Sequence, residues 1–242
     1  MTHSSPNMGQ VPAVYSPYGK QCRDVWTVQE GYKLVGMDAS GLELRMLAHY
    51  MNDEGYTNEI LNGDIHTANQ LAAGLDTRDQ AKTFIYAFLY GAGDAKIGSI
   101  VGGTRKDGQR LKEKFLANTP ALGRLRERVG VASGRGYVLG LDRRRVAIRS
   151  SHAALNSLLQ SAGAIIMKKA LCLLDEYATI WGLDYHIIGN IHDEIQTEVR
   201  EKDAERFGRL ATSCVEAAGL FYKLNCPLAG DYKVGQTWAD TH

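Results

Sequence analysis

Segments with the composition of β-strands lie far apart in this chain of 242 residues, and mostly helical sequence separates them. Lys33 to Asp38 is predicted to be one strand. Residues 184–189 and 191–199 are predicted to be two more, joined by a turn near Gly189–Asn190. Strands from both ends of the chain must therefore pair in one sheet, with a helical insertion between them. This pattern predicts an α+β fold.

A helix with two chemical halves is predicted inside that insertion, beginning at Arg78 after a T-x-x-Q capping box. Basic and then aromatic residues recur on it at intervals of four: Arg78, Lys82, Tyr86 and Tyr90. This spacing places them on one broad helix face. A nucleoside triphosphate has the same layout, with a polyanion at one end and a flat base at the other, and the helix N-terminus adds partial positive charge. The helix also has an apolar stripe, so a core role for both tyrosines stays open.

Charge is unevenly distributed along the chain, although the net charge is +1. Residues 104–149 contain 13 Lys or Arg and 4 Asp or Glu, so the remainder carries about eight net negative charges. Such a division suits a protein that binds a phosphate backbone on one side and cations on the other. A solvated pair of charged helices is the alternative interpretation.

The bulk sequence indicates a cytoplasmic protein without a membrane partner. No apolar run approaches the length of a membrane span, and the N-terminus lacks the pattern of a signal peptide. The four cysteines show no C-x-x-C spacing, which predicts reduced thiols.

Two aspartates are candidates for a shared cation site. Asp38 ends a predicted strand, and Asp193 follows a predicted tight turn. Mg²⁺ typically takes one or two protein carboxylates together with water and substrate phosphate. Two such ions about 4 Å apart would activate a 3′-hydroxyl and stabilise a leaving pyrophosphate. Each aspartate has a structural alternative as a turn or cap residue; Glu43 could complete a capping box with Ser40, and His66 could help to cap a helix.

Five sequence blocks appear in the order found in family A DNA polymerases: Gly36–Arg45, Gly63–His66, Arg78–Gly91, His152–Gly163 and Ile191–Gln196. The chain resembles that family over nearly its whole length, and most of all the replicative polymerases of short-tailed phages. The resemblance implies a partial right-hand polymerase fold, with an antiparallel palm sheet and a helical fingers insertion. The palm would comprise residues 1–50 and 151–242, and the fingers residues 51–150.

The resemblance also implies an activity and its residues. The activity is template-directed DNA synthesis, in which dNTPs are added to a primer 3′-OH with the help of two Mg²⁺ ions. The implied metal ligands are Asp38, Asp193 and the backbone carbonyl of Ala39. The implied nucleotide-binding residues are Arg78, Lys82, Tyr86, His66 and Glu43. The implied template–primer residues are Tyr90, Gly91, Asn7, Gln10, His152, Asn156, Gln160 and His192.

Within this set, the resemblance gives three side chains a specific task. Lys82 would donate a proton to pyrophosphate. Tyr86 would stack on the incoming sugar and base. Glu43 beside it would exclude a ribose 2′-hydroxyl.

The resemblance covers only the C-terminal, fingers-and-palm part of such an enzyme. The thumb and the 3′–5′ exonuclease have no counterpart. The chain begins at Met1 in the middle of a segment of the family, and the glycine–arginine pair that normally lies just upstream of that point is absent. Because the chain starts with a methionine, we expect a split gene whose second polypeptide carries the thumb and exonuclease. The enzyme would act in the host cytoplasm if it is phage-encoded. A fragment of a longer polymerase is the alternative.

The sequence leaves three alternatives to DNA synthesis. A single-subunit RNA polymerase would share the fold, but Glu43 disfavours ribonucleotides. A non-catalytic nucleic-acid-binding remnant or assembly subunit would not need Asp38, Lys82 and Asp193, all of which are present. A two-metal nuclease would need more clustered carboxylates than these motifs provide.

Overall fold

The computed structural model describes residues 7–148 and 150–241, without the side chain of Ser151. Residues 1–6, Arg149 and His242, which belong to the predicted palm and basic segment, lie outside that range. The chain divides into two compact units. The sheet unit comprises the residues up to Leu42 and those from Gly163 onward, and the helical unit comprises Glu43–Ala162. Their assignment as palm and fingers stays a prediction.

The described residues contain ten α-helices, six strands and three short 3-10 turns. The helices are α1 (Gly19–Asp24), α2 (Leu42–Met51), α3 (Glu54–Asn62), α4 (Ile65–Ala73), α5 (Arg78–Leu89), α6 (Asp94–Ser99), α7 (Arg105–Asn118), α8 (Pro120–Ser133), α9 (Ala154–Ile180) and α10 (Ala204–Phe221). The strands are β1 (Tyr32–Ala39), β2 (Tyr137–Leu139), β3 (Arg145–Ala147), β4 (Tyr185–Ile191), β5 (Glu194–Arg200) and β6 (Gly230–Gly235). The 3-10 turns are Met8–Gln10, Ser151–Ala153 and Glu201–Asp203.

The sheet unit is built on four antiparallel strands in the order β4-β5-β1-β6. β1 lies in the interior of the sheet, and its residues Leu34, Val35 and Met37 are buried. A strand covered on both faces needs a nearly continuous apolar run, and β1 has one. Helix α10 packs against β1 and β6 with an apolar stripe that includes Phe207 and Val215.

The helical unit has its own aromatic core. Phe84 and Phe88 of α5 both meet Phe115 of α7 edge to face, with ring centroids 5.2 and 5.4 Å apart. Aromatic rings favour this arrangement over a face-to-face sandwich. Ile85 and Leu89 complete the buried side of α5. Because these residues are buried, the opposite, polar side of α5, with Arg78 and Lys82, faces away from this core.

The predicted α+β fold with an antiparallel sheet and a helical insertion is confirmed, and α5 begins at Arg78 behind its capping box as predicted. The predicted turn at Gly189–Asn190 is wrong. β4 continues through both residues to Ile191, and the chain turns at His192 and Asp193. The glycine marks a register shift between β4 and β5 instead, which is a common use of glycine inside a strand.

Strand β6 is absent from the sequence prediction. Its sequence, GDYKVG, has a glycine at each end and two charged residues, so it gives only a weak strand signal. Pairing with β1 stabilises it in the fold.

Helix α9 is long and apolar enough to span a membrane by length and composition alone. Half of its most apolar window is buried inside the protein, and two adjacent lysines, Lys168 and Lys169, interrupt it. We therefore interpret α9 as a core helix.

Candidate active site

Three carboxylate residues lie side by side at one end of the sheet. Asp38 of β1 is paired with Glu194 of β5 on one side and with Asp231 of β6 on the other. Directly opposed residues of antiparallel strands project to the same face, so these side chains share one face. Asp38 is exposed and Glu194 is buried. Ser40 donates its hydroxyl hydrogen to Asp231 Oδ2 across 3.1 Å.

Asp193 reaches the same end of the sheet through the turn between β4 and β5. The turn consists of His192 and Asp193, and His192 has a φ of 58°, as two-residue hairpin turns commonly require. The backbone N–H of Ala39 donates to the Asp193 carbonyl oxygen across 2.9 Å. The end of β1 that carries Asp38 and the turn that carries Asp193 are therefore hydrogen-bonded neighbours.

The side chains at this end of the sheet fit a hydrated Mg²⁺ ion. A cavity of about 350 Å³ opens there, lined by Gly36, Asp38, Glu194, Asp231, Tyr232, Lys233 and Thr241. Its carboxylate oxygens are the hard ligands that Mg²⁺ prefers. Among the residues that the structure describes, no group of three or more His, Cys, Asp or Glu is arranged to hold a metal ion by itself. The donor set thus suits an ion shared with a phosphate better than a closed structural site.

Three of the predicted template–primer residues lie together in the sheet unit. Asn7 and Gln10 are exposed at the two ends of the N-terminal 3-10 turn. A Cβ placed on Gly9, in the middle of that turn, would lie 3.2 Å from Nε2 of His192. The turn therefore packs against the imidazole that precedes Asp193.

The start of α5 combines a complete cap with two exposed cations. Thr77 Oγ1 accepts from the Gln80 backbone N–H, and the Gln80 side chain accepts from the Thr77 backbone N–H. Arg78 and Lys82 are both exposed. Arg78 donates from Nε to Oδ2 of Asp64 across 2.6 Å and from Nη2 to Oδ1 across 3.2 Å. These hydrogen bonds hold the pKa of Asp64 well below its ordinary value.

The aromatic half of α5 forms a row of rings with His66. Tyr86 is stacked against Tyr90 with ring centroids 6.4 Å apart and an interplanar angle of 29°. The centroid of the His66 ring lies 6.4 Å from that of the Tyr86 ring. Burial lowers the pKa of His66, and the positive charges of Arg78 and Lys82 lower it further. The imidazole is therefore biased towards its neutral form.

Glu43 is held by side chains from two other segments of the helical unit. The Tyr90 hydroxyl lies 2.9 Å from each Glu43 carboxylate oxygen, and Gln160 of α9 donates to Oε1. These partners go beyond what the capping-box alternative with Ser40 would provide. The predicted gate residue and two predicted template–primer residues thus form one hydrogen-bonded group. The tyrosine involved is Tyr90, one helical turn beyond Tyr86.

The backbone at Gly91 leaves no room for a side chain. Its φ is 75°, a left-handed conformation that favours glycine, and an added Cβ would lie 2.8 Å from the carbonyl oxygen of His152. His152 is exposed in the 3-10 turn before α9, and Asn156 is half-buried one helical turn later. Gly91 and His152 are therefore in close contact.

Part of the basic segment lies beside Gly91 and His152. A cavity of about 770 Å³ in the helical unit is lined by both, and by Arg105, Lys112 and Arg126. Lys112 Nζ donates to the Ala92 carbonyl oxygen across 2.6 Å and to Asp94 Oδ1 across 2.8 Å. Lys112 therefore has a structural role, while Arg105 is exposed.

The structure adds residues that the sequence motifs do not single out. These are Asp64, Asp231, Gln196 and Trp238. Asp64 and Gln196 lie inside recognised blocks, but β5 reads EIQTEVR, so the alternation of polar and apolar residues does not single out Gln196. Asp231 and Trp238 follow the last recognised block, and only the pairing of β6 brings Asp231 to Asp38.

The whole chain is similar in sequence to known DNA polymerases. The family model for DNA polymerase family A matches residues 1–240. The DNA-directed DNA polymerases of Enterobacteria phage T3 and Escherichia phage T7 are each 45% identical over 274 residues, covering 100% of this chain and 39% of theirs. DNA polymerase I of Pseudomonas aeruginosa is 28% identical over 264 residues, covering 100% of this chain and 28% of its own.

A solved structure has the same fold. It is the POL domain of Pol1 from M. smegmatis in complex with DNA primer-template and dNTP, with a TM-score of 0.88 and 24% identity. The match covers 99% of this chain and 46% of that one. The chain thus spans 39% of the length of the two phage relatives and under half of this structural relative.

Proposed function

This chain belongs to DNA polymerase family A, and we propose that it carries the nucleotidyl-transfer centre of a template-directed DNA polymerase. The primer 3′-hydroxyl oxygen bonds to the α-phosphorus of a dNTP, the nucleoside monophosphate is transferred to the primer, and pyrophosphate leaves. The proposal extends to this chain the activity named for its phage relatives, although it spans only 39% of their length.

One observation carries the proposal: the Ala39 N–H donates to the Asp193 carbonyl oxygen. This bond ties the turn bearing Asp193 to the end of β1 bearing Asp38, although the two aspartates are far apart in the sequence. Structural turn residues would not need an adjoining cavity that contains two further carboxylates, Glu194 and Asp231.

Asp38 and Asp193, with the carbonyl of Ala39, would hold two Mg²⁺ ions, which supply activation of the 3′-hydroxyl and neutralisation of charge on the leaving pyrophosphate. The protein's own contribution is to keep the two carboxylates at a fixed spacing. The backbone hydrogen bond between the two strand ends serves that purpose.

The exposed face of α5 would bind the nucleotide. Arg78 and Lys82, at the positively polarised end of the helix, would contact the triphosphate together with His66. Lys82 would also protonate the leaving pyrophosphate. Tyr86 would stack on the sugar and base. This order follows the cationic-to-aromatic gradient of the helix face.

The Glu43 group would select the sugar and support the template. Glu43 would exclude a 2′-hydroxyl, and its bonds to Tyr90 and Gln160 would hold the carboxylate in place. Tyr90 and Gly91 would lie at the template base. The remaining residues proposed for the template–primer are Asn7, Gln10, His152, Asn156, Gln160 and His192.

A second polypeptide with a thumb and a 3′–5′ exonuclease would complete the enzyme, which would act in the host cytoplasm. Primer extension by the chain alone should then be weak and distributive. Adding a polypeptide that corresponds to the remaining part of the phage relatives should restore it. Robust processive extension by the single chain would contradict the need for this partner.

The central test replaces Asp193 by alanine. Asp193→Ala should abolish single-nucleotide primer extension and leave the affinity for primer–template nearly unchanged, because the turn backbone persists while a metal-binding carboxylate is lost. Glu216→Ala, on the exposed side of α10, is the matched control and should retain full activity. Equal activity of Asp193→Ala and the control would refute the proposal.

The same assay separates the alternative functions. A DNA polymerase incorporates dATP in preference to ATP, and an RNA polymerase does the reverse. Degradation of the primer without extension would indicate a nuclease. Binding of primer–template with neither reaction, in the presence of the complementing polypeptide, would indicate a non-catalytic subunit.

A further inference from the structure

Glu194 is a buried carboxylate beside the proposed metal-binding aspartates. It is only 5% exposed and directly follows Asp193. It is also paired with Asp38 across the sheet and lines the same cavity. A buried carboxylate is costly unless donors satisfy it. The identity of those donors therefore decides where its oxygens can point.

Side chains of the strand itself and of the C-terminal segment donate to this carboxylate. Trp238 Nε1 donates to Glu194 Oε1 across 2.6 Å, and Gln196 Nε2 donates to the same oxygen. Gln196 is oriented in turn by Thr241, whose hydroxyl donates to its Oε1 across 3.0 Å. A chain of hydrogen bonds therefore runs from the C-terminal segment to the carboxylate.

Trp238 is itself held by buried neighbours. It is 3% exposed and packs in a buried cluster with Leu34 and Ile191. The guanidinium of Arg23, a buried residue, lies 4.2 Å from the centroid of its ring. A cation over an indole face is attracted to it, most strongly when both are desolvated. The indole N–H is thus held in one direction, towards Glu194.

The C-terminal segment is shaped to deliver these two donors. Asp240 Oδ2 accepts from the backbone N–H groups of Gln236 and Thr237, each at 2.9 Å, and closes a turn around Trp238. Gly36 of β1 leaves the space that the Gln196 side chain and the Thr241 backbone occupy. A Cβ at Gly36 would lie 2.4 Å from Gln196 Nε2 and 2.7 Å from the Thr241 carbonyl oxygen.

We infer that Trp238 is a positioning residue of the proposed catalytic centre. Its indole N–H retains Glu194 against the C-terminal segment, which leaves metal binding to Asp38 and Asp193 and steadies the turn that carries Asp193. The inference rests on the proposed function for its catalytic consequence. Its structural part, the retention of Glu194, can be tested by metal binding alone.

The test replaces Trp238 by phenylalanine, which keeps most of the packing and removes the donor. Glu194 then loses a partner and turns towards the cavity, where it adds a ligand. Titration with Mn²⁺ by electron paramagnetic resonance, without DNA, should show binding that is about tenfold tighter, because one more carboxylate ligand reaches the ion. Primer extension should fall by about tenfold, because the ions are then held in the wrong positions.

Matched variants separate positioning from a general loss of structure. Trp181→Phe removes a tryptophan outside this network and should change neither readout. In a Glu194→Gln background, Trp238→Phe should no longer alter Mn²⁺ affinity. If Trp238→Phe fails to fold, Thr241→Val tests the outer hydrogen bond with less disruption and should shift both readouts in the same direction by a smaller factor.

The outcomes of the two proposals are distinguishable. Unchanged Mn²⁺ affinity and unchanged extension in Trp238→Phe, while Asp193→Ala abolishes extension, would overturn this inference and leave the proposed function standing. Full activity of Asp193→Ala would overturn the proposed function. Tighter Mn²⁺ binding in Trp238→Phe that disappears in the Glu194→Gln background would support the positioning role.

Discussion

Asp64 and Arg78 form a two-point ion pair in which Nε and Nη2 of the guanidinium donate to separate carboxylate oxygens at 2.6 and 3.2 Å. The same carboxylate also accepts from the His66 backbone N–H and from the Thr67 hydroxyl. Asp64 therefore caps α4 and occupies one edge of the arginine. An anionic ligand that approaches Arg78 meets a cation already partly neutralised by the protein.

Asp64→Asn should tighten dNTP binding. Asparagine is as good a helix cap as aspartate, so α4 should persist while the negative charge is lost. One fewer negative charge beside a triphosphate is worth about 0.5–1 kcal/mol at an exposed site, or about a two- to fivefold lower dissociation constant. Fluorescence anisotropy with a labelled dATP measures this directly.

The control for this prediction is Asp53→Asn, which neutralises the corresponding cap of α3. It should leave dNTP affinity unchanged. Weaker binding by Asp64→Asn would show that the carboxylate orients Arg78 for the phosphates more than it competes with them.

Tyr90→Phe should weaken discrimination against ribonucleotides. The Tyr90 hydroxyl lies 2.9 Å from each oxygen of Glu43, and its loss removes one of the groups that hold this carboxylate. A less constrained carboxylate is a softer steric barrier, so the ratio of dATP to ATP incorporation should fall by about threefold to tenfold. Glu43→Ala should lower the ratio further. An unchanged ratio in both variants would remove Glu43 from the sugar-selecting role.

Gly36→Ala should destabilise the sheet unit. The new methyl group would collide with Gln196 and with the Thr241 backbone, and one of them must move. Overpacking of this kind typically costs about 1–3 kcal/mol in the free energy of unfolding. Gly123→Ala is the contrasting control, because that glycine lies inside α8 with open space around it and should gain about 0.5–1 kcal/mol. Urea denaturation compares them, and equal stability of the two variants would contradict the packing argument.

Local signals predicted helix α5 well and the β6 end of the sheet poorly. The start of α5 depends on a capping box and an apolar stripe that are both contained in about a dozen residues, so its exposed face could be derived from spacing alone. Strand β6 depends on pairing with β1, which is nearly 200 residues away, and its own sequence has little β-character. Tertiary pairing overrides weak propensity in such a strand.

The same distinction explains which site residues were missed. Asp38 and Asp193 could be paired from the sequence because each lies in a recognisable block. Asp231 and Trp238 enter only through β6 and the segment after it. The turn position was also missed, because Gly189 is a stronger turn signal than His192 and the glycine serves a register shift instead.

His66 makes the stability of the helical unit depend on pH. Burial, reinforced by the Arg78 charge, lowers its pKa in the folded state below the ordinary value of about 6.5. The unfolded chain therefore binds the proton more readily than the folded one. The free energy of unfolding should fall as the pH drops below about 6.5 and level off below the folded-state pKa. Urea titrations at pH 8 and pH 5.5 should show a smaller decrease in His66→Gln than in the unsubstituted chain.

Binding of dNTP should raise the pKa of His66, which burial lowers in the free protein. A triphosphate beside the imidazole favours its protonated form, so nucleotide binding should take up a proton and tighten as the pH falls from 8 to 6. Anisotropy with labelled dATP at pH 8, 7 and 6 measures the slope, and His66→Gln should reduce it. Tyr56→Phe, a change elsewhere in the helical unit that alters no charge at these pH values, should leave it unchanged. Equal slopes in the unsubstituted chain and in His66→Gln would place the imidazole outside the triphosphate site.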